Sequence, residues 1–294
     1  MDAPLPVSSV RVLTINTHKG YTALNRRFVL PEMRDAIRAV GADLVFLQEV
    51  QGEASMPPPP EGPQGRGLRR SRRAPAKQER DGQTANSAHP SAHPSPAEAA
   101  HAARTPPAQH EYLADRLWPQ FAYGRNAVTP HGHHGNAVLS KYPIVHSENR
   151  DVSIGRTEQR GLLHCVLAVP GLRHGLHAIC VHLGLLESHR QQQAQLLCDM
   201  ILDELPADAP LVVAGDFNDW RHRVHRVLAR RAGLTEVFQR VLGRSPRTFP
   251  ARWPVLRLDR IYVRNARALA PMTLPRRPWS HLSDHVPLAA EVRL

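Results

Sequence analysis

The sequence predicts a mixed α/β fold in which stacked β-sheets are flanked by helices. Three observations predict it. Short apolar or alternating runs recur along the chain as strand candidates; a strand, helix, strand unit opens it; and a long amphipathic helix separates two later strand groups. Of the 294 residues, 238 lie outside one proline-rich stretch, enough for a single domain with a substantial core.

Taken in order, Val10, Val12 and Ile15 alternate and read as a strand ending at Asn16. The run FVLPEMRDAIRAVGAD puts Met33, Ile37 and Val40 on one helical face, with Gly41 as the stop signal. LVFLQEV, residues 44–50, is a buried strand that ends in the polar pair Gln48 and Glu49. HEYLADRLW (110–118) is helical, and strand candidates FAYGR, GNAVLS, YPIVHS, RGLLHCVLAV and GLHAICVHL follow in quick succession. A long helix spans about 187–205, with Leu196, Leu197, Met200 and Ile201 as its apolar stripe. LVVAGDFN is then a buried strand, 221–231 a basic helix, and RLDRIYVRN, ARALAPMTL and HVPLAAEVRL close the chain as strands. No internal repeat of fixed period is visible.

Residues 52–107 differ in kind. Eleven of the 27 prolines fall there, with no aromatic residue, no Ile and no Val. Such a segment cannot bury enough apolar surface to order itself, so it is expected to be a disordered Pro/Arg/Ala-rich insert in one domain made of 8–51 and 108–294. The insert holds eight bases and five acids, so most of the net charge of +12 stays with the folded part. That charge suits a polyanionic partner such as nucleic acid, phosphoinositide or an anionic lipid surface, without choosing among them. Cys165, Cys180 and Cys198 lack zinc or redox spacing and read as small buried hydrophobes. With no leader pattern and no apolar run of membrane-spanning length, a soluble cytoplasmic protein is expected, without stable membrane insertion and without an obligate protein partner.

Chemistry gathers at the strand ends. Asn16 and His18, Gln48 and Glu49, His182, and Asp216, Asn218 and Asp219 each close a buried apolar run; Asp259 and the triplet Ser283, Asp284, His285 join them later. A polar group at the end of a buried strand is held rigidly against a cleft. Oxygen ligands and imidazoles without a thiolate cluster suit a hard divalent cation, Mg²⁺ or Mn²⁺, better than zinc.

These motifs resemble the endonuclease/exonuclease/phosphatase superfamily of DNase I-like, metal-dependent phosphoesterases. The resemblance runs in order through TINTHKG (14–20), LQEV (47–50), GNAVLSKYP (135–143), RG (160–161), VHL (181–183), GDFND (215–219), LDRIYV (258–263) and SDHVP (283–287). RVLTINTHKG and GHHGNAVLS are similar to a bacterial branch of that superfamily often encoded beside cardiolipin synthases, in which the connector at 52–107 is shorter. The resemblance implies a four-layer α/β/β/α sandwich of two mixed sheets and Mg²⁺-dependent hydrolysis of a phosphodiester, nuclease-type activity first and a lipid or inositol-phosphate substrate as the alternative. It makes Glu49 the principal metal carboxylate, with Asn16 beside it in the metal and phosphate shell. His285 becomes the general base or an electrostatic stabiliser, oriented by Asp259 or Asp284. Asp216 positions or deprotonates the attacking water, while Asn218 and His182 hold phosphate oxygens, joined by Arg160 and Asn136. Every catalytic position is filled by a competent side chain, which weighs against a scaffold that has kept the fold without turnover.

Other residues carry weaker signals. His18 stands where some superfamily members have an acid. Of His131, His133 and His134, the last is best placed to face the cleft because it adjoins GNAVLS. Arg190 and Gln193, one turn apart, are expected to brace an active-site loop. Trp220 is expected either to pack or to stack on substrate, and RTFPARWPVL (247–256), with Phe249 and Trp253 beside Arg252, is a candidate rim segment for membrane or substrate.

Overall fold

The computed structural model describes residues 9–22, 27–52, 108–114, 117–129, 132–156 and 158–294. The expected insert at 52–107 lies outside the described residues apart from Gly52. Sheet one has the order β11-β12-β1-β2-β4-β3, from β1 (Ser9–Asn16), β2 (Leu44–Gln51), β3 (Gln120–Thr129), β4 (Gly132–Ser140), β11 (Arg267–Met272) and β12 (Leu288–Arg293). Sheet two runs β5-β6-β7-β8-β10-β9, from β5 (Ile144–Asp151), β6 (Gly161–Leu167), β7 (Leu176–His182), β8 (Leu211–Asp216), β9 (Thr235–Glu236) and β10 (Asp259–Arg264). Two six-stranded mixed sheets flanked by helices are the architecture the sequence predicts.

Three apolar clusters make the layers. Val12, Phe46 and Val138 of sheet one meet Cys165, Cys180, Val212 and Ile261 of sheet two in the central layer. On the outer side of sheet one, Leu13, Val45 and Leu139 pack on helix α1 (Leu30–Val40) and on Leu113 of α2 (Gln109–Ala114). On the outer side of sheet two, Ile179, Val181 and Val213 pack on α3 (Glu187–Glu204) and α4 (Arg223–Arg231). α5 (Val237–Leu242) and the short helix α6 (Arg276–Leu282) complete the set. Helix α1 has Pro31 in its first turn and ends at Gly41, whose φ of 65° is the left-handed cap that glycine supplies without strain.

Each sheet contains one parallel pair, β1 with β2 and β7 with β8, and each pair has a helical crossover, α1 or α3. Parallel neighbours end on the same side of a sheet, so Asn16 and Glu49 emerge together in one sheet and His182 and Asp216 in the other. Strand β10 runs antiparallel to β8 in a register that pairs Asp259 with Asp216. Gly215 lets β7 and β8 approach, since a Cβ there would lie 2.0 Å from the Val181 carbonyl oxygen.

Several boundaries differ from expectation. The helix expected over 110–118 is described only as Gln109–Ala114. Leu196, assigned to the apolar stripe of α3, is exposed; Ala194, Leu197, Cys198 and Ile201 form the buried face. The basic helix starts at Arg223, because the Asp219 carboxylate accepts the Arg223 and His225 N–H groups and caps it there.

Remote from the strand ends that carry chemistry, His164 and His177 are buried on β6 and β7 with their ring nitrogens 2.9 Å apart. Burial, with His177 and His146 nearby, pushes His164 down to about 4. The unfolded chain therefore binds this proton first, and stability is lost as pH falls from the ordinary histidine value of about 6.5 towards 4. The expected loss across that window is about 3 kcal/mol. Thermal unfolding followed across that window checks it: His164→Gln should flatten the profile, and an unchanged slope would contradict the assignment.

Candidate active site

Glu49 is placed by a local irregularity. The pairing of β2 with β4 shifts between Leu47 and Val50, and Glu49 has a φ of 57°. Strict alternation would turn the residue after Gln48 towards the outer core; the bulge redirects it. Gln48 itself is fully buried between the sheets and donates to Thr14 Oγ1 at 3.2 Å and Cys180 Sγ at 3.3 Å, so it is structural. The Asn16 amide donates to Glu49 Oε1 at 3.3 Å and to Asp216 Oδ2 at 3.4 Å, bridging the two sheets. Burial pushes the Glu49 carboxylate up, but His182, the Asn16 amide, His18 and Lys19 together hold it below its ordinary value. Lys19, with a φ of 56°, is a site residue that the motifs alone did not single out.

Across the cleft, Asp216 Oδ2 lies 3.7 Å from His182 Nε2 and 3.8 Å from His285 Nε2. These gaps exceed a hydrogen bond. His285 Nδ1 is 2.8 Å from Asp259 Oδ2, which fixes the ring and leaves Nε2 towards Asp216. Burial lowers the His285 value, yet the Asp259 and Asp216 carboxylates outweigh it and raise it well above the ordinary histidine range. Asp216 is raised by burial and by Asp259, against His285, the Asn218 N–H and Asn16. His182 is pushed down to about 3 by burial, with Arg160 adding and Glu49 opposing, so its ring is neutral. Asn218, at a φ of 51°, donates its backbone N–H to Asp216 Oδ1 at 2.9 Å and its amide to the Leu183 carbonyl at 2.9 Å.

Two expected roles are corrected by position. Asn136 does not reach the cleft: it is fully buried and donates to the Gly161 and Cys180 carbonyls at 2.9 and 3.3 Å, tying sheet one to sheet two. Asp284 does not orient His285; its Oδ2 lies 3.3 Å from His18 Nδ1, and Asp259 holds the His285 ring instead. Ser283 locks that corner, donating to the Asn16 carbonyl at 2.6 Å and accepting the His285 N–H at 3.2 Å.

The remaining candidates separate cleanly. Arg160 lies close enough to depress both His182 and His134, and its buried Nε has no hydrogen-bond partner. His134 is near Glu49 and Lys19, whereas His133 turns away to Tyr123 Oη at 2.9 Å, and His131 lies outside the described residues. Arg190 is fully buried; it donates to the Gly184 and Leu185 carbonyls and to Glu187, while Gln193 accepts the Gly184 N–H at 2.8 Å. Both brace the loop after His182, as expected. The Arg260 guanidinium, also fully buried, lies 3.7 Å from Asp219 Oδ2 and holds the far end of the GDFND loop. The expected neighbour of the rim, Phe249, has its ring 5.0 Å from that of His285.

The donor set fits a hard divalent cation. Cleft carboxylates and amides supply oxygen, and all three cysteines are buried. Cys165 and Cys180 sit in the central core, pushed up to about 12 by burial. Two places offer ligands: the Glu49–Asn16 edge, and Asp216, Asp259 and His285, whose ligand atoms lie within 4.8 Å of one another. In the second, His285 and Asp259 already satisfy each other, although Asp259 Oδ1 is buried without a partner.

Comparison with known proteins bears on the family and the fold. The family model described as Endonuclease/Exonuclease/phosphatase family matches residues 13–285. The chain is 50% identical over 287 residues to "Uncharacterized protein YbhP" of Escherichia coli K12 and of Shigella flexneri, covering 97% of each chain. Among solved structures it is similar to an endonuclease/exonuclease/phosphatase from Beutenbergia cavernae, with a TM-score of 0.70 at 20% identity over 98% of this chain and 72% of that one. It is also similar to D. rerio TDP2 complexed with single strand DNA product, with a TM-score of 0.63 at 17% identity over 98% of this chain and all of that one. The structural likenesses show the fold; the family match over nearly the whole chain shows more, and the chain belongs to the endonuclease/exonuclease/phosphatase family of phosphoesterases.

Proposed function

We propose that the chain hydrolyses phosphodiesters with a divalent cation, Mg²⁺ or Mn²⁺, held by Glu49 with Asn16 beside it. The observation that carries this reading is the continuous run of contacts from Asp259 through His285, Asp216 and Asn16 to Glu49. The reading is supported by a fixed imidazole, a buried carboxylate and an ionised carboxylate lying next to one another in that run.

When bound, the cation supplies Lewis-acid stabilisation of charge on the phosphoryl oxygens. The chain's own residues do the rest. Asp216 Oδ2 and His285 Nε2, 3.8 Å apart, flank the position of the attacking water; Asp216 takes up its proton, and the His285 imidazolium, held charged by Asp259 and Asp216, steadies the developing charge. Asp259 acts through His285 as a positioning residue. The Asn218 amide, His182 Nε2 and Arg160 face the phosphoryl oxygens as donors, with His182 in its N–H tautomer at that nitrogen. Asn16 couples the metal edge to Asp216.

Hydrolysis of soluble bis(p-nitrophenyl) phosphate by the full chain tests the reading. Turnover is expected with Mg²⁺ or Mn²⁺ and is lost with chelator; turnover unaffected by chelator would contradict it. Nucleic-acid and lipid phosphodiesters both present this chemistry to the site. The nuclease expectation rests on the basic folded part and on the nucleases of the resembled superfamily, whereas exposed apolar side chains near the site favour the lipid alternative.

A further inference from the structure

The tryptophans divide by exposure. Of the four tryptophans, Trp118 and Trp279 are buried, while Trp220 and Trp253 are 39% and 75% exposed. Both exposed rings stand on loops bordering the catalytic cluster. Trp220 follows Asn218 by two residues, and Trp253 belongs to the loop whose Phe249 ring touches His285 and whose Ala251 N–H donates to the Asp284 carbonyl at 2.7 Å. Leu185 and Leu186, directly after the loop that leaves His182, are 57% and 54% exposed, and Val255, two residues after Trp253, is 57% exposed. The Arg190 guanidinium joins the first group: it lies 4.3 Å from the Trp220 ring centre and holds the Leu185 carbonyl.

The charge near Trp220 and Trp253 is mostly positive, and the acids beside Leu185 and Leu186 are engaged: Glu158 accepts the Leu185 N–H at 2.9 Å and lies 3.9 Å from Arg160, and Glu187 pairs with Arg190. Arg221 and Arg223 follow Trp220; Arg247 and Arg252 precede Trp253, and Arg276 lies 5.3 Å from its ring centre with Arg277 beside it. Neither 247–256 nor 276–281 contains an acid, and Asp219 is buried against Arg260. Arg252, Trp253, Arg276 and Arg277 line a cavity of about 310 Å³ with Ser280 and His281.

We propose that the mouth of the catalytic cleft docks on an anionic lipid bilayer, with Leu185, Leu186, Trp220, Trp253 and Val255 entering the interface and the surrounding arginines holding phosphate headgroups. Indole rings sit at headgroup depth, aliphatic side chains reach the acyl boundary, and arginines keep their heads among the phosphates. A nucleic-acid strand would use the tryptophans by stacking but would leave the leucine pair and Val255 in water, and each indole already carries a guanidinium over it. Among the described residues no helix is long and apolar enough to cross a membrane, so attachment is from one side. Together with the phosphodiesterase reading, on which this step alone rests, docking assigns the substrate class: the phosphodiester of an anionic phospholipid headgroup.

Sedimentation of the full chain with vesicles, in chelator, tests the docking. Phosphatidylcholine vesicles containing phosphatidylglycerol should carry the protein down, and phosphatidylcholine alone should not. Leu185→Ser with Leu186→Ser, and separately Trp253→Ser, should each weaken partitioning at least about tenfold, with soluble diester hydrolysis held within about twofold. Should a variant fold poorly, tryptophan quenching by bromine-labelled acyl chains reads the same contact in the wild type, and Trp220→Phe with Trp253→Phe should remove it. Absence of vesicle binding, or variants that partition like the wild type, would overturn the proposal. So would a single-stranded oligonucleotide that binds through these residues when vesicles do not. Vesicle binding by a chain that hydrolyses no diester would sustain the docking and refute the catalytic reading instead.

Discussion

His285→Ala slows hydrolysis of a soluble phosphodiester by at least about a hundredfold, the loss expected when a positioned charged donor is removed. Two effects add. The cleft loses Nε2, which faces Asp216 at 3.8 Å, and Asp259 loses the partner at 2.8 Å that compensates its buried charge. The second effect also costs stability, because a buried carboxylate stripped of its partner is destabilising by about 3–5 kcal/mol. Activity should therefore be compared well below the melting temperature of the variant. His285→Gln, which keeps a donor near Asp259, should recover stability without recovering turnover.

Glu49→Ala has an effect of comparable size by a different route. Glu49 sits at the bulged end of β2, with its charge held by His182, Asn16, His18 and Lys19. Its loss removes the ionised carboxylate of the oxygen-rich edge, so turnover should fall at least about a hundredfold at ordinary Mg²⁺ concentrations. Calorimetric titration separates the two routes. Mg²⁺ binding should weaken strongly in Glu49→Ala and survive in His285→Ala; the reverse pattern would move the cation to the group of Asp216, Asp259 and His285, whose ligand atoms lie within 4.8 Å of one another.

Much of this site is legible in the sequence because strand ends are legible. Buried apolar runs closing in Asn16, Glu49, His182 and Asp216 state which side chains reach the cleft, and the two parallel pairs bring those ends together. Contacts between strands far apart in sequence are not legible in the same way. Asp259 and Asp284 are both plausible partners for His285, and only the register pairing Asp259 with Asp216 settles which carboxylate lies beside the ring. Asn136 shares a strand with cleft residues, yet its side chain turns between the sheets, where the carbonyls of Gly161 and Cys180 claim it. The bulge at Glu49 and the left-handed backbone at His18 and Lys19 carry no signal in periodicity, since a one-residue irregularity is invisible to alternation. Leu196 was misplaced for the opposite reason: the residues on either side of a helical stripe differ in angle by less than a short apolar run can resolve.

The coupling between Asp259 and His285 is the most direct point at which to test the mechanism. Turnover of bis(p-nitrophenyl) phosphate with Mg²⁺ would be measured for the wild type, Asp259→Asn, His285→Ala and the double variant. Because Asp259 acts only through the imidazole it orients, the double variant should be no slower than His285→Ala alone, within about twofold. Losses that multiply, or a wild type that hydrolyses no phosphodiester with any divalent cation, would contradict a water-activating site built on this pair.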